Sequence, residues 1–298
     1  MIRTNFLLIL LTGVFCIFIC HSCSTCSRPQ KIENLTVNID MADLSIDSLY
    51  INMGKRVLFA LPTPIEASML IKNWGIPYPE LLNDPAFASG YTTRKQQALN
   101  FGVYLTDMTT AGLYEQSQTV LRYKQAIMQL IEGLGLQSVA SPAVLQKIED
   151  NINNRQELLE IISEIYASCT EFLSEDDRDF YALAMLAGGW VEGMFIATST
   201  LDENQVANRD KMKSLVFDNK LTFDLLWQAL GDLNVIPEDA FHVMIDMSYI
   251  AHLFGHQTLI SKSFTPKVAI NDANDVTVEF YAELKTYIHQ LRQSFVKK

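Results

Sequence analysis

Glycine and proline are both scarce, 13 and 9 in a chain of 298 residues. That excludes collagen-like and linker-like chains, and no stretch is low in complexity. Positive charge is in deficit, with 23 Lys and Arg against 34 Asp and Glu and a formal charge of −11. A balance this acidic argues against a nucleic-acid partner, which needs Lys and Arg gathered on one face. It argues equally against adhesion to an anionic membrane surface through protein charge. Beyond Cys26 the only cysteine is Cys169, so no disulfide framework holds the chain and a hydrophobic core must do so. Chemical signatures are missing too. There is no GxSxG, no GxxxxGK[ST] and no GxGxxG, and Cys169 lies on an apolar stripe as an inert core residue would.

What is present begins with an address. Arg3 supplies a short positive region, and Phe6 to Ile19 is an apolar run of signal-peptide length, short for a membrane span. CHSCSTC follows. Four of the five cysteines, Cys16, Cys20, Cys23 and Cys26, fall in this region. We read it as a bacterial lipoprotein signal with Cys23 as the lipidated residue: Ser22 is the small residue at −1, although Cys20 replaces the usual branched residue at −3. Cys26, with Thr25 before it, is the alternative. An ordinary secretory signal and an uncleaved anchor helix are the other readings. Acyl chains at about 0.8 kcal/mol per buried CH₂ would fix the protein to a bilayer. The expected organisation is a signal peptide over 1–22, a lipidated Cys and tether over 23–43, and an all-helical domain over 44–298.

The central stretch is Ser174 to Thr200, SEDDRDFYALAMLAGGWVEGMFIATST. Ser174 and the acids after it read as a helix start. From Tyr181 to Thr198 the chain is apolar on every side, which requires burial all round. Gly189 and Gly193, four apart, would let another backbone come close. Around this helix the spacing of apolar residues predicts further helices at Ile46–Ala60, from Thr63 to about Asn73, at Thr93–Tyr114 and at Thr119–Leu134. Others follow from Ser141 to about Asn153, at Arg155–Leu173, from Asp202 to about Asp218, at Leu221–Leu233, at Pro237–Leu259 and at Asp275–Val296. Thr63, Pro64 and Glu66 form a capping box, and Gly75, Gly133 and Gly135 are stops. Ile76 to Tyr91, rich in proline, is a loop and a natural groove wall. Short strands are expected at Leu35–Ile39 and Lys267–Ile270. The fold class is all-α, a single orthogonal or antiparallel bundle of about nine or ten helices.

Two places could carry chemistry. His242, Asp246, His252 and His256 lie near one another on the predicted helix Pro237–Leu259. A His pair four apart can chelate a metal, with Asp246 as a further ligand. The glutamate of HExxH is missing between His252 and His256, so the commoner reading is a polar helix face. Glu192 is the second place. A carboxylate in so apolar a helix must be paired, hydrogen-bonded or neutral, and the commoner explanation is a structural partner. Trp190, Phe195, Tyr104 and Tyr114 could line a pocket beside it, although aromatic residues on helices are usually core.

LPTPIEASMLIKNWGIPYPELLNDP, running into KQQALNFGVYLTDMTTAGLYEQSQ, and the later AGGWVEGMFIAT resemble a family of helical lipoproteins of Gram-negative bacteria with no known function. The resemblance covers nearly the whole chain after the signal and implies an outer-membrane or periplasmic lipoprotein. It carries over no catalytic residues. Within it, Pro62, Pro64, Glu66, Gly102, Tyr104, Asp107, Trp190 and Glu192 look like parts of the family pattern, so Asp107 and Glu192 are expected to share one buried polar site with Tyr104 and Trp190. The expected function is a non-enzymatic module in the bacterial envelope that binds a small molecule or an envelope protein. Its expected membrane contact is the N-terminal lipid, and it has no expected cofactor. The alternative is a metal-dependent or carboxylate-dependent envelope enzyme.

Overall fold

Asp179–Thr200 carries only Asp179 in its first turn and Glu192 within, and nearly every residue from Phe180 to Thr198 is buried. Its length and apolarity would suit a membrane span, but 89% of its most apolar window is buried inside the protein. It is therefore the axis around which the other helices pack. A computed structural model describes residues 65–175, 178–233, 236–258, 270 and 272–297. The chain divides into units Met1–Ser45 and Ile46–Lys298, and every described residue belongs to the second.

The described chain is all α, with no strand among the described residues. In order, the helices are α1 (Ile65–Asn73), α2 (Arg94–Leu113), α3 (Ser117–Leu134), α4 (Pro142–Asp150), α5 (Arg155–Glu175), α6 (Asp179–Thr200), α7 (Arg209–Gly231), α8 (Glu238–Leu253) and α9 (Val278–Val296). Short 3₁₀ turns lie at Pro85–Gly90, Val206–Asn208 and Ala273–Asp275. α2 lies along α6 most closely, and α1, α5, α7, α8 and α9 all touch α6. One hydrophobic core runs through the whole bundle.

Local chemistry sets the ends. Thr93 caps α2 reciprocally: its hydroxyl accepts from Gln96 N–H at 3.2 Å, and Gln96 Oε1 accepts from Thr93 N–H at 3.2 Å. Ser141 caps α4 ahead of Pro142, and Thr277 caps α9. α3 stops at Gly135 (φ +70°), where Leu136 N–H reaches back to Ile131 O at 2.9 Å and Gly135 N–H to Glu132 O at 3.2 Å. That pair of bonds uses the last orphan carbonyls and needs a left-handed residue.

Four expectations need correction. Ser174 does not start the central helix. It sits in the last turn of α5, and its hydroxyl donates to Asp179 at 2.7 Å across the turn. The two helices expected from Asp202 to Leu233 are one helix, α7, preceded by a 3₁₀ turn. The polar stretch around Asn219 contains neither Gly nor Pro to break it, and Lys220 pairs with Asp224 one turn on. α8 ends at Leu253 rather than Leu259: Gly255 (φ +91°) takes the left-handed position, and His256 N–H bonds Ala251 O at 2.9 Å. α9 starts at Val278, after its Thr277 cap, rather than at Asp275. The lipidation region with Cys23, the helix expected at Ile46–Ala60, the Thr63–Pro64 cap and the strand at Leu35–Ile39 lie outside the described residues, as does that at Lys267–Ile270 save for the buried Ile270.

The close approach of α2 and α6 depends on glycine, with Gly188 making the closest contact on α6. A Cβ on Gly188 would stand 1.8 Å from Leu99 O, and one on Gly102 would stand 2.0 Å from Met185 O and 2.6 Å from Gly189 N. These neighbours are backbone and cannot step aside. Gly188→Ala is therefore expected to cost about 3 kcal/mol or more. Gly231→Ala, where nothing lies within 4 Å, is expected to be neutral or to gain up to about 1 kcal/mol. Urea midpoints of the two variants check this; equal midpoints would show that the helices can part without cost.

Candidate functional site

α2 carries an unusual load of polar side chains into the core: Asn100, Thr106, Asp107, Thr109 and Thr110 are all buried. The threonines are partly absorbed by the helices. Thr106 donates its hydroxyl to Gly102 O at 3.1 Å and lies 3.3 Å from Gly189 O, while Thr110 bonds Thr106 O at 2.9 Å and meets Ser68 of α1 at 2.8 Å. Asp107 cannot be absorbed this way, because a carboxyl needs a donor or a counter-charge.

Its surroundings come from three other elements. Asp107 Oδ2 accepts from Asn83 N–H at 3.0 Å, a donor offered by the Ile76–Tyr91 loop. Its other oxygen finds no hydrogen-bond donor. The neighbour in bonding reach is the Glu192 carboxyl of α6. Both carboxyls are fully buried. Glu192 is clamped by Arg292 of α9, with Nε donating to Oε2 at 2.9 Å and Nη2 to Oε1 at 3.1 Å. This two-pronged, charge-assisted geometry is the strongest that a guanidinium makes.

Two carboxyls can bond each other only if one keeps its proton. Burial pushes Asp107 well above the usual carboxylate range, and the negative charge of Glu192 pushes it further. Burial raises Glu192 too, but Arg292 opposes this directly. Asp107 is thus the member pushed toward the protonated form, while Arg292 favours the charge on Glu192. One guanidinium and one shared proton leave the cluster neutral.

A tyrosine layer closes the site. Tyr123 OH donates to Asn83 O at 2.8 Å, Tyr104 OH to Asp84 O at 3.0 Å, and Tyr91 OH to Val296 O at 3.2 Å, while Asn83 Nδ2 donates to Tyr91 OH at 3.2 Å. Burial raises all three phenols, so they stay protonated. Tyr114 OH fastens the start of the loop through Ile76 O at 2.6 Å. The loop expected as a groove wall thus folds inward and seals the carboxyl pair.

Of the residues expected at this site, Asp107, Glu192 and Tyr104 are brought together and Trp190 is not. Trp190 faces α7, with its indole N–H donating to Asn219 O at 3.3 Å and its ring 5.0 Å from Phe223. Phe195 instead lies under the Arg292 guanidinium at 4.6 Å, with the His289 ring edge-on to it at 4.8 Å. His289 Nε2 is 3.0 Å from Ser199 Oγ, and burial lowers its pKa. Arg292 is the essential residue that the sequence reading missed. Its signal was a charge set within the apolar stripe of α9, between Ile288, Leu291 and Phe295. Asn83 had no signal, because its role is played by its backbone.

The structure does not bring the four residues of the histidine helix together. Since α8 stops before Gly255, His256 leaves the stripe and pairs with Asp224 of α7 at 2.8 Å. Asp246 lies 3.4 Å from Ser294 Oγ, His252 is buried and His242 is exposed. Among the described residues no three His, Cys, Asp or Glu side chains gather to hold a metal. No family model, no curated protein and no solved structure matches the chain.

Removing either partner of a buried ion pair strands the other charge. Glu192→Gln and Arg292→Met are each expected to cost about 3–5 kcal/mol in urea denaturation. The double variant is expected to cost well under the sum, because neither charge is then left alone. Simple additivity would show that the two groups do not act as a pair.

Proposed function

We propose that the protein is a lipid-anchored lipoprotein of the bacterial envelope whose helical domain is a non-enzymatic binding module. The observation that carries the binding reading is a contrast between two places in the bundle. The buried carboxyl cluster is sealed: Asp107 and Glu192 have no exposed surface, and the Arg292 side chain is 13% exposed. A group that performs acid–base work must reach its substrate within hydrogen-bond distance, and with the loop closed these carboxyls are covered by protein. An open feature among the described residues is a groove of about 600 Å³ between the end of α1, the end of α2 and the start of α5. Met69, Leu113 and Leu159 give it an apolar floor, and Lys72, Arg155 and Glu160 give it a charged rim. That is the size and character of a site that holds a small, largely apolar molecule and orients it by a few polar contacts. The anchor reading is supported by the charge and cysteine pattern of the first 26 residues.

Two measurements test the two halves separately. Mass spectrometry of the N-terminal peptide from membranes is expected to show acyl chains on Cys23, and Cys23→Ser is expected to release the protein from the membrane fraction. An unmodified N-terminus would remove the anchor. Native mass spectrometry of protein extracted in mild detergent without chelators is expected to show a small molecule at unit stoichiometry. Leu159→Arg, which places a charge over the groove floor, is expected to lose that mass without losing helicity. A bound mass that survives Leu159→Arg would place the ligand elsewhere and remove the groove reading.

A further inference from the structure

The loop over the carboxyl pair and the proton inside it are mechanically linked. Asn83 joins them, since its N–H rests on Asp107 Oδ2 and its C=O takes the Tyr123 hydroxyl. Four helices and the loop contribute polar or titratable groups around the pair. α2 gives Asp107 and Tyr104, α3 gives Tyr123, α6 gives Glu192 and α9 gives Arg292. The loop gives Tyr78 and Tyr91 from within, with Asp84 at its exposed edge. The phenols are held protonated by burial, and Arg292 has its Nε and Nη2 committed to Glu192. The group of this cluster that can lose a proton short of strong alkali is therefore the carboxyl pair.

We propose that the Ile76–Tyr91 segment is a proton-gated latch, closed while Asp107 and Glu192 share one proton and opening locally when that proton leaves for solvent.

Without the proton, two carboxylates face each other in a dry core that holds one guanidinium, and the cluster carries one uncompensated negative charge. The relief available is water. Most of the wall cannot yield to admit it, because α2 and α6 are in backbone contact at Gly102 and Gly188. The loop can. Its regular structure is one 3₁₀ turn of six residues, and it rests on the core through Ala88, Tyr91 and the partly buried Leu81, Leu82 and Phe87, with bonds to Tyr104, Tyr123 and Asp107. Segments of this kind sit at the low end of local stability.

The sign follows from linkage. The closed form holds its proton above the ordinary carboxylate range, and the open, hydrated form does not. Between those two limits the opening equilibrium rises by about tenfold per pH unit, and above the upper limit it levels off. The latch is therefore tightest in mild acid. It does not depend on the groove or the lipid anchor.

Hydrogen exchange of the full chain, read by mass spectrometry between pH 5 and pH 9 and corrected for intrinsic rates, tests this. Peptides spanning 78–91 are expected to exchange ahead of those from α2 and α6 and to lose protection by up to about tenfold per pH unit. Asp107→Asn imitates the protonated acid, with its amide oxygen taking Asn83 N–H and its NH₂ donating to Glu192. Peptides 78–91 of that variant are expected to stay protected with no pH slope. Protection of 78–91 that is flat with pH in the wild type would overturn the proposal. So would exchange of 78–91 in step with α2 and α6 at every pH, since opening would then be global. Should the variant fail to fold, these two wild-type comparisons decide the matter alone.

Discussion

Backbone touching backbone, where α2 crosses α6 at Gly102, Gly188 and Gly189, is the constraint on which this bundle depends. With no side chain between them the two helices lie at a separation that larger residues would forbid. About one turn beyond the contact, the same closeness sets Asp107 of one helix against Glu192 of the other. The carboxyl pair is thus a consequence of glycine: had the helices stood at an ordinary distance, water or apolar side chains would lie between the acids.

That arrangement creates a debt of solvation which the rest of the chain settles. The debt is met by a guanidinium from α9, a proton, and one backbone N–H from the loop. A buried ion pair is weak support for stability in itself, since a well-packed apolar core often does as well. Its value here is specificity. Arg292 has one place in the interior where its charge is matched, which fixes the rotation and register of α9 on α6. Tyr91 and Asn100 then hold the carbonyls of Val296 and Phe295, at 3.2 and 2.8 Å, and complete the seat.

Helix class and most helix boundaries were legible in the sequence because they arise from neighbours along the chain: Thr93 with Gln96, Ser141 with Pro142, Gly135 after Leu134. The errors came where a local signal had two readings. Ser174 followed by acids reads as a start, yet a hydroxyl also closes the turn between α5 and α6. Asn219 reads as a break, yet it lies within α7. His252 and His256 fall one turn apart only if the helix continues, and Gly255 ends it. Asp107 and Glu192 are expected together from the sequence, but Arg292 is not. Its partner is 100 residues away, and no local pattern encodes such a distance. The groove at Leu159 was equally invisible, because it is made of residues that look like any helix surface.

The separation of these partners has a consequence for how the chain can be made. Glu192 waits for Arg292, Asn100 for Phe295 across 195 residues, and Tyr91 for Val296 across 205. A growing chain can form its helices as they emerge, but it cannot neutralise its own interior until the last helix is delivered. Contacts of such long range close late. Until then the central helix, apolar all round and bearing one unanswered acid, is the part of the molecule most in need of protection from its neighbours.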